Sequence, residues 1–501
     1  MPNKSLYSIL IFLIISLSAN ENMTEKIKKY NSIKWQNYTV ENLKKNISHK
    51  MSGDSIEMIS IQKLYFLPKI NNYTNKKIWK KAGILWPKII VLSKGRYDIQ
   101  TIYKHINNSN IIEKKSNQTF IIKRPIYIAP TASLLVENST LKLSLKHGVF
   151  IMYHGDLDVV DSTITSWDIK KNNYGKREHI KDDEILFYLK QIPRPYLLGL
   201  AGSKTKMVNS NIIGLGFKAT RGTFGLSLSK SASKYISKDI GYILRKLKKP
   251  EGVFVGNNIY KCFFGFYTNN AENVFLAGNI LHDNIIYNFD PHDYSTNLTI
   301  AKNISYNAAH AHGIIMSREV KESTIAQNII FNNIGSGIML DRNCEDNLIY
   351  KNLSFQNNGD GIAIFESSKN EIQENTILRN GLNGIFIRNS VLIDINKNFI
   401  YRNAINGIEL SIVDINYLET RDFNIDPYEK YTKANILDNI FQKNINSALS
   451  VKNSALFFFK NNTLKNSGPV YFSGEIRDMT SDIFTKNKLN GFSNINLKDK
   501  K

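Results

Sequence analysis

Groups that could catalyse proton transfer are concentrated in residues 287–293 of this 501-residue chain, where the sequence reads YNFDPHD. This segment supplies a phenol, two carboxylates and an imidazole, at Tyr287, Asp290, Asp293 and His292. A second segment, residues 312–320 (HGIIMSREV), adds a cation at Arg318. A base, an acid and a cation are what proton abstraction beside a carboxylate requires, because the cation offsets the negative charge that develops.

Both segments lie within a repeat. An Asn followed within two residues by Ile, Leu or Phe recurs after steps of 22, 24, 25, 24, 23, 23, 41, 23 and 25 residues. These residues are Asn257, Asn279, Asn303, Asn328, Asn352, Asn375, Asn398, Asn439, Asn462 and Asn487. A nearly fixed period of this size is typical of a solenoid, in which each coil covers the hydrophobic face of its neighbour.

The apolar segments within each repeat are short, rich in Ile, Phe and Val, and bounded by Asn and Gly, a pattern that indicates strands and turns. We therefore predict an all-β chain folded as a right-handed parallel β-helix with coils of about 22–25 residues. A leucine-rich horseshoe or a propeller is the alternative, but the units lack a regular Leu pattern. The repeated Asn residues are expected to stack as an internal ladder whose amides bind the turn backbone.

Alignment of the coils on a recurring Gly-Ile pair defines two columns of side chains, with Asn288-Phe289 in place of that pair in its own coil. Four residues beyond the pair, the column contains His292, Ser317, Asp341, Phe365 and Arg388. Five residues beyond it, the column contains Asp293, Arg318, Arg342, Glu366 and Asn389. Because parallel strands stack about 4.8 Å apart, we expect a polar strip along one face, with His292 and Arg318 on adjacent coils.

The chain is expected to be exported. Residues 1–19 have the layout of a secretory signal peptide, because Lys4 precedes an apolar run that is too short to span a bilayer. An uncleaved N-terminal anchor is the alternative. A non-repeating N-terminal region is predicted at residues 20–116. The β-helix is predicted at residues 117–501, with insertions at residues 230–251 and 413–431. No later stretch is apolar enough to suggest a stable membrane span.

The charge and the cysteine content of the chain limit the classes of ligand that it is expected to bind. A formal net charge of +23 in an exported protein favours a polyanionic ligand. An acidic polysaccharide suits the column of polar side chains better than nucleic acid does, since no nucleic-acid recognition motif is present. Cys262 and Cys344 fall at different places in coils that are three steps apart, so we expect two unpaired thiols about 14 Å apart. Neither a calcium-binding nonapeptide nor a carboxylate cage is evident, so we predict no metal and no cofactor.

The chain resembles the bacterial mannuronan C-5 epimerases of the periplasmic, alginate-biosynthesis type. The resemblance rests on residues 287–293 and 312–320 and extends over roughly residues 85–480. Supporting matches lie at residues 155–167, 194–196, 267–274, 341–343, 421–423 and 426–429 (DPYE). The family typically has Gly where this chain has Asn288, a departure expected to change local backbone freedom and to leave the chemical groups intact.

The resemblance implies conversion of D-mannuronate to L-guluronate at C-5 within a polyuronate, without a cofactor. On this interpretation His292 is the base and Arg318 neutralises the substrate carboxylate, since a guanidinium fork matches a carboxylate in two bonds. Tyr287 returns the proton or positions a water that does so, and Asp290 orients or polarises His292. The predicted substrate-binding residues are Asp293, Asp341, Arg342, Glu366, Arg388, Tyr267 and Arg194. His312 is predicted to be a packing residue.

Two alternatives remain open at the level of sequence. A polyuronate lyase begins with the same proton abstraction and differs in expelling the C-4 substituent, so no residue type separates it from an epimerase. A non-catalytic β-helix that binds polysaccharide would need no pairing of His292 with Arg318. A periplasmic polysaccharide-export complex is a predicted partner.

Overall fold

The computed structural model describes residues 24–63, 79–80, 87–175, 193–218, 222–230, 246–418, 421–424, 426–489 and 491–493. The predicted signal peptide, residues 1–19, lies outside the described residues, as does the central part of the first predicted insertion. The chain divides into two compact units, residues 1–35 and 36–501. In the first, helix Glu25–Asn31 is capped by Thr24, whose hydroxyl accepts the N–H of Ile27 at 3.4 Å.

Within residues 36–501, the described strands form a right-handed parallel β-helix, as predicted. Short strands stack in register along three faces. The first face carries the candidate site. Its strands are the first half of Ile126–Glu137, then Ile151–Tyr153, Leu197–Gly199, Gly225–Ser229, Phe264–Asn269, Phe289–Asp290, Ile314–Ser317, Ile338–Asp341, Ile362–Phe365, Ile385–Arg388, Asn406–Ser411, Ser447–Lys452 and Phe472–Gly474.

The second face begins with the second half of the long strand Ile126–Glu137, which bends across both faces. It continues through Asp156–Val160, Lys204–Val208, Glu251–Val255, Val274–Ala277, Thr299–Ala301, Thr324–Ala326, Leu348–Tyr350, Glu371–Gln373, Ile393–Asn396, Lys433–Leu437 and Leu456–Lys460, with Phe492–Ser493 antiparallel at its end. The third face comprises Ile112–Ser116 antiparallel to Thr119–Ile122, then Thr140–Ser144, Thr163–Trp167, Asn211–Ile213, Asn258–Tyr260, Ile280–His282, Ile304–Tyr306, Ile329–Phe331, Leu353–Phe355, Thr376–Leu378, Phe399–Tyr401, Ile440–Gln442 and Thr463–Lys465.

Both ends of the solenoid are closed by other elements. Strand Lys88–Asp98 pairs in parallel with Ile126–Glu137 and antiparallel with Ser55–Ser60, so parallel pairing begins before residue 117. The helical segments are Trp35–Tyr38, Val40–Lys45, Ile61–Lys63, Ile99–Ile106, Arg477–Met479 and Thr480–Leu489. No helix in the described part of the chain has the length and apolar character that a bilayer crossing requires.

The predicted Asn ladder is confirmed and runs inside the solenoid. The amide of Asn328 donates to the side-chain oxygen of Asn352 at 2.9 Å, and Asn352 donates in turn to Asn375 at 3.0 Å. The same contact repeats from Asn257 as far as Asn462. Asn487 differs from its predicted place, because it lies in the C-terminal helix and accepts the backbone N–H of Asn462 at 3.0 Å. These bonds satisfy buried turn backbone and so hold the coils in register.

The Gly of each Gly-Ile pair is required by close packing. A Cβ on Gly361 would lie 2.3 Å from Cγ2 of Ile377 and 2.7 Å from the carbonyl oxygen of Gly384. The following Ile points inward, where Ile338, Ile362 and Ile385 stack without exposure. The motif therefore records a space restriction followed by a core position.

Asn288 occupies that Gly position without adopting a left-handed backbone conformation. Its side chain is fully buried, accepts the Asn284 amide at 2.8 Å and donates to the Ser305 hydroxyl at 3.0 Å. A second amide ladder on this side of the core, which includes Asn333 and later residues, has Ala308 in the coil that follows. The expected change in backbone freedom is thus not what Asn288 provides; its amide fills the gap that Ala308 leaves.

Both cysteines, Cys262 and Cys344, are buried and form no disulfide, as predicted. Burial raises the pKa of the Cys344 thiol. Neither thiol is therefore available as an exposed nucleophile.

Candidate active site

The strand register on the first face is the one that the Gly-Ile alignment predicts. His292 bridges to Ser317, and each later strand pairs the next residue of the column with its neighbour. The resulting column is His292, Ser317, Asp341, Phe365, Arg388 and Ser411. Since side chains alternate along a strand, the residues two positions earlier face the same side. They form a parallel column of Tyr267, Asp290, Ile315, Met339, Ala363, Phe386 and Glu409.

A sharp turn ends each of these strands and supplies the second predicted column. The turn residues have positive φ angles of 41° at Asp293, 62° at Arg318, 61° at Arg342, 47° at Glu366 and 46° at Asn389. Left-handed backbone costs a non-Gly residue on the order of 1 kcal/mol. The same conformation recurs at turns of the other faces, as at Gln327 and Asn332, so it belongs to the coil as a whole. The turn chain is stacked by hydrogen bonds such as Arg318 N–H to the Asp341 carbonyl at 2.9 Å. The charged residues are thereby held at one level along the face.

His292 is tied to the carboxylate that follows it. Its Nδ1 lies 3.1 Å from Oδ2 of Asp293, within ion-pair distance but outside hydrogen-bond alignment, and 24% of its side chain remains exposed. Burial lowers the pKa of His292, but Asp293 and Asp290 together raise it more, and the net pKa lies above its ordinary value. The imidazole is therefore both accessible and electrostatically coupled to two carboxyl groups.

Asp290 lies on the same side of the strand as His292 and is almost fully buried, at 2% exposure. Its Oδ1 has no hydrogen-bond partner within the described part of the chain. Burial raises the pKa of Asp290 to about 7, with a further upward contribution from Asp293 that the neighbouring His292 opposes. The group that contacts Nδ1 of His292 is Asp293, whereas Asp290 acts on His292 through its charge.

Asp293 connects His292 to Arg318. Its Oδ2 accepts the Asn269 amide at 2.5 Å, and its Oδ1 lies 3.5 Å from Nη1 of Arg318. The side chain of Asp293 is 2% exposed, whereas that of Arg318 is 20% exposed. The predicted pair of His292 and Arg318 thus faces one space from adjacent coils, with a buried carboxylate between them.

Arg318 has a second partner that sequence reasoning did not single out. Asp426, in the insertion after strand Asn406–Ser411, accepts the Nε–H of Arg318 at 3.2 Å and lies 3.2 Å from its Nη2. Asp293 and Asp426 raise the pKa of Arg318 above its ordinary value, against the lowering effect of burial. In the sequence, Asp426 was marked only as the first residue of the DPYE segment that matches the family. That match does not say which residue Asp426 contacts.

Tyr287 lies two residues before strand Phe289–Asp290, and His292 lies two residues after it. Its ring stacks on His312 at a centroid distance of 5.9 Å and meets Phe264 edge-on at 5.1 Å. Burial raises the pKa of Tyr287, and Asp290 and Asp341 raise it further. The phenol is accordingly protonated at neutral pH. His312 accepts the N–H of Ser336 at 2.9 Å and burial lowers its pKa to about 4, which suits the predicted packing role.

Asp341 and Arg342 lie one coil beyond Arg318. The Nε of Arg342 lies 3.2 Å from Oδ2 of Asp341, and the Arg342 side chain is 36% exposed. Burial raises the pKa of Asp341, while the adjacent Arg342 lowers it. Arg342 is therefore the more accessible cation on this part of the face.

Glu366 and Arg388 belong to a buried ion-pair cluster. Arg388 contacts both carboxylate oxygens of Glu366, at 2.8 Å and 3.2 Å, and its guanidinium lies 3.9 Å from the centre of the Phe365 ring. Arg421 of the insertion donates to the same carboxylate at 2.9 Å. With its side chain 1% exposed, Glu366 anchors the insertion and is not placed to contact a ligand.

Tyr267 and Arg194 are also buried. Tyr267 pairs with Asp290, and its ring lies 6.0 Å from that of His292, so it supports the site from below. Arg194 is not brought to the site. Its guanidinium donates to the carbonyl oxygens of Gly214 at 2.8 Å and Gly175 at 2.7 Å, and burial lowers its pKa to about 10.

The residues brought together are a base, a cation, a protonated phenol and a buried carboxyl group. Tyr287 and His292 lie at opposite ends of strand Phe289–Asp290, and Arg318 follows the strand of the next coil. Within the described residues, no group of three or more His, Cys, Asp or Glu side chains is arranged to hold a metal ion. The arrangement can remove and return a proton beside an anionic group.

Comparisons with known proteins match the chain to one family model and to several epimerases. A family model described as "Periplasmic copper-binding protein (NosD)" matches residues 228–429 and, in a second overlapping alignment, residues 291–478. The Mannuronan C5-epimerase AlgG of Azotobacter vinelandii is 30% identical over 405 residues, which cover 79% of this chain and 73% of that protein. The chain belongs to the mannuronan C5-epimerase family.

Other relatives in the epimerase family align over shorter spans. The Mannuronan C5-epimerase of Pseudomonas aeruginosa is 29% identical over 257 residues, or 51% of this chain and 44% of the relative. That of Pseudomonas putida is 28% identical over 310 residues, or 60% and 55%. The alignments thus span about half the length of these Pseudomonas relatives.

Solved structures support the fold of the epimerase family member described here. The crystal structure of the periplasmic alginate epimerase AlgG has a TM-score of 0.74 and 24% sequence identity, covering 91% of this chain and 100% of that one. A double mutant of AlgG gives a TM-score of 0.78 with the same identity and coverage. At this identity the likeness establishes the parallel β-helix.

Proposed function

We propose that this protein converts D-mannuronate to L-guluronate at C-5 within a polymannuronate chain, as an isomerase that needs no cofactor. The observation that carries the proposal is the placement of His292 and Arg318 on adjacent coils, linked by the buried Asp293 carboxylate. One group removes a proton and the other neutralises an anion within reach of the same sugar.

The reaction breaks the covalent bond between C-5 and its hydrogen and moves the electron pair of that bond toward the adjacent carboxylate. His292 in its neutral form takes the proton, and Asp293 stabilises the imidazolium that results. The developing dianion is stabilised by Arg318, since a fixed cation interacts more strongly with the transition state than with the ground state. Both residues then act at the step in which charge is greatest.

Reprotonation must come from the other face of the sugar ring to invert C-5. Tyr287 is suited to this role because it lies at the opposite end of strand Phe289–Asp290 from His292 and its raised pKa keeps the phenol protonated. It either donates its proton or orients a water that does. Asp290, with a pKa of about 7, adjusts the basicity of His292 through its charge.

Binding of the polymer is assigned to the face downstream of His292. Successive coils are about 4.8 Å apart, so an extended polyuronate lying along the axis meets a new coil at nearly every sugar. Arg342, 36% exposed, is placed to bind the carboxylate of a neighbouring residue, with half-exposed Met339 and Phe386 forming an apolar floor. The net charge of +23 favours capture of such a polyanion.

Location and partners complete the proposal. Action in the periplasm is supported by the name of the structural neighbour, a periplasmic alginate epimerase. Export by a signal peptide at residues 1–19 and association with a polysaccharide-export complex are proposed with it. Copper binding, which the NosD description names for its own family, finds no ligand cluster in the described residues.

The test is proton NMR of polymannuronate incubated with the purified protein in deuterium oxide. We expect guluronate with deuterium at C-5 and an unchanged chain length. Ultraviolet-absorbing unsaturated ends as the main product would assign the protein to the polyuronate lyases. Polymer binding without either product would assign it to the non-catalytic polysaccharide-binding β-helices.

Two substitutions link the activity to the site. His292→Ala should abolish turnover while leaving polymer affinity, and Arg318→Lys should lower turnover by about 100-fold, since a dedicated charge donor is worth about 3 kcal/mol. Arg379→Lys is the matched control, because Arg379 is an exposed arginine with a similar φ of 55° in a turn beyond the third face. The rate should rise with pH through a midpoint above the ordinary pKa of histidine.

A further inference from the structure

The guanidinium of Arg318 offers two forks to a carboxylate, one formed by Nε and Nη2 and the other by Nη1 and Nη2. Asp426 occupies the first fork, at 3.2 Å from each nitrogen. Asp293 lies beside Nη1 at 3.5 Å. The fork between Nη1 and Nη2 is therefore the one that Asp426 leaves for a ligand.

Asp426 is held in place by the insertion around it. Its carbonyl oxygen accepts the Nε–H of Arg421 at 3.1 Å, and its N–H donates to the Asp422 carbonyl at 2.8 Å. Arg421, with 2% of its side chain exposed, is in turn ion-paired to Glu366 of the solenoid at 2.9 Å. For the backbone of Asp426 to move away from Arg318 together with Arg421, this buried pair would have to break, at a cost of several kcal/mol.

We propose that Asp426 is a positioning residue that, together with Asp293 beside Nη1, fixes the fork between Nη1 and Nη2 of Arg318 toward the carboxylate of the sugar to be epimerised. This inference rests on the proposed function and names the group that selects an acidic sugar at the reacting position. A bidentate fork accepts a planar carboxylate in one orientation, whereas the hydroxymethyl group of a neutral hexose gains no such pair. Recognition of a uronate is thereby combined with alignment of its C-5 proton.

The contact between Asp426 and Arg318 also helps to keep the pKa of His292 raised. Asp293 is shared between Nδ1 of His292 and Nη1 of Arg318. Without Asp426, the vacated fork of Arg318 would turn to the nearest remaining carboxylate, which is Asp293. A tighter pair there would withdraw negative charge from His292, the group that Asp293, Asp290 and Arg318 all face. Loss of Asp426 should therefore lower the pKa of His292 as well as misalign the substrate.

The experiment compares Asp426→Asn and Asp426→Ala with the matched control Glu429→Gln. Glu429 is an exposed carboxylate in the same insertion. We expect kcat on polymannuronate to fall by on the order of 100-fold in Asp426→Ala and by less in Asp426→Asn, which keeps one acceptor oxygen, while KM changes little. The acid limb of the rate profile should move to lower pH in both variants and stay in place in the control.

A measurement without turnover separates this inference from the proposed function. The imidazole titration of His292, assigned by its loss from the spectrum of His292→Gln, should shift to lower pH in Asp426→Asn. Such a shift in a protein without epimerase activity would overturn the proposed function and keep the positioning role. Unchanged kcat and an unchanged His292 titration in both variants would overturn the positioning role. A lower KM with equal or higher kcat would overturn it as well, because Asp426 would then be a competitor of the substrate.

Discussion

Replacement of Asp290 by Asn should make the protein more stable at alkaline pH. Asp290 is 2% exposed, one of its oxygens has no hydrogen-bond partner in the described structure, and burial raises its pKa to about 7. The pKa of an Asp in an unfolded chain is about 3.9. Ionisation of Asp290 is therefore easier after unfolding than before it.

The sign and size follow from this difference. For a carboxyl group whose folded pKa is raised, stability is intact below the unfolded pKa and is lost as pH rises toward the folded pKa. A difference of about three units corresponds to about 4 kcal/mol, lost between roughly pH 4 and pH 7. Asn cannot ionise, so the variant escapes this loss. With an unfolding entropy of about 2.1 cal/mol/K per residue, 4 kcal/mol in a chain of this size shifts the melting temperature by roughly 4 °C.

The assay is thermal unfolding of the wild-type protein and Asp290→Asn at constant ionic strength between pH 4 and pH 9. The difference in melting temperature should grow in favour of the variant up to about pH 7 and then level off. Asp422→Asn, which removes an exposed carboxylate, should show no such trend. A difference that is constant across the pH range, or one that favours the wild-type protein at pH 9, would refute the claim that Asp290 is buried with a raised pKa.

Two further predictions concern the supports of the site. Glu366→Gln leaves the buried guanidinium of Arg421 without its ion pair, so we expect a loss of about 3–5 kcal/mol and faster proteolysis of the insertion, whereas Glu374→Gln, at a surface pair with Lys351, should cost less than about 1 kcal/mol. Asn288→Gly should destabilise the protein by about 1–3 kcal/mol in denaturant titration because buried amide partners lose their bonds, and adding Ala308→Asn should restore part of that loss; a neutral Asn288→Gly would show that the amide does not bridge the ladder.

Much of the fold could be predicted from the sequence because in-register stacking translates spacing directly into position. The recurrent Asn predicted the internal ladder, and the Gly-Ile pairs predicted which residues share a column, including His292 beside Ser317. A period of 22–25 residues carries this information without any knowledge of tertiary structure. The pairing of His292 with Arg318 was accessible for the same reason.

Contacts made by the insertion were not accessible in this way. Asp426 meets Arg318 across 108 positions of sequence, and no period relates the two. Column membership also could not distinguish Glu366, which is consumed by two arginines, from Arg342, which is accessible. Arg194 was predicted to bind substrate, and its guanidinium binds backbone carbonyls instead. The sequence alone does not distinguish these two kinds of arginine.

The contact between Asp426 of the insertion and Arg318 depends on how many coils separate Arg318 from the start of the insertion. The insertion leaves after Ser411 and reaches back across four coil steps, roughly 19 Å, to place Asp426 on Arg318. Duplication or loss of a coil between these points would displace Asp426 by a full rung and separate it from its partner. Coils added beyond Leu437 or before Tyr287 would leave the distance unchanged. The contact between Asp426 and Arg318 thus fixes the number of coils between these points, whereas it places no such restriction on the ends of the solenoid.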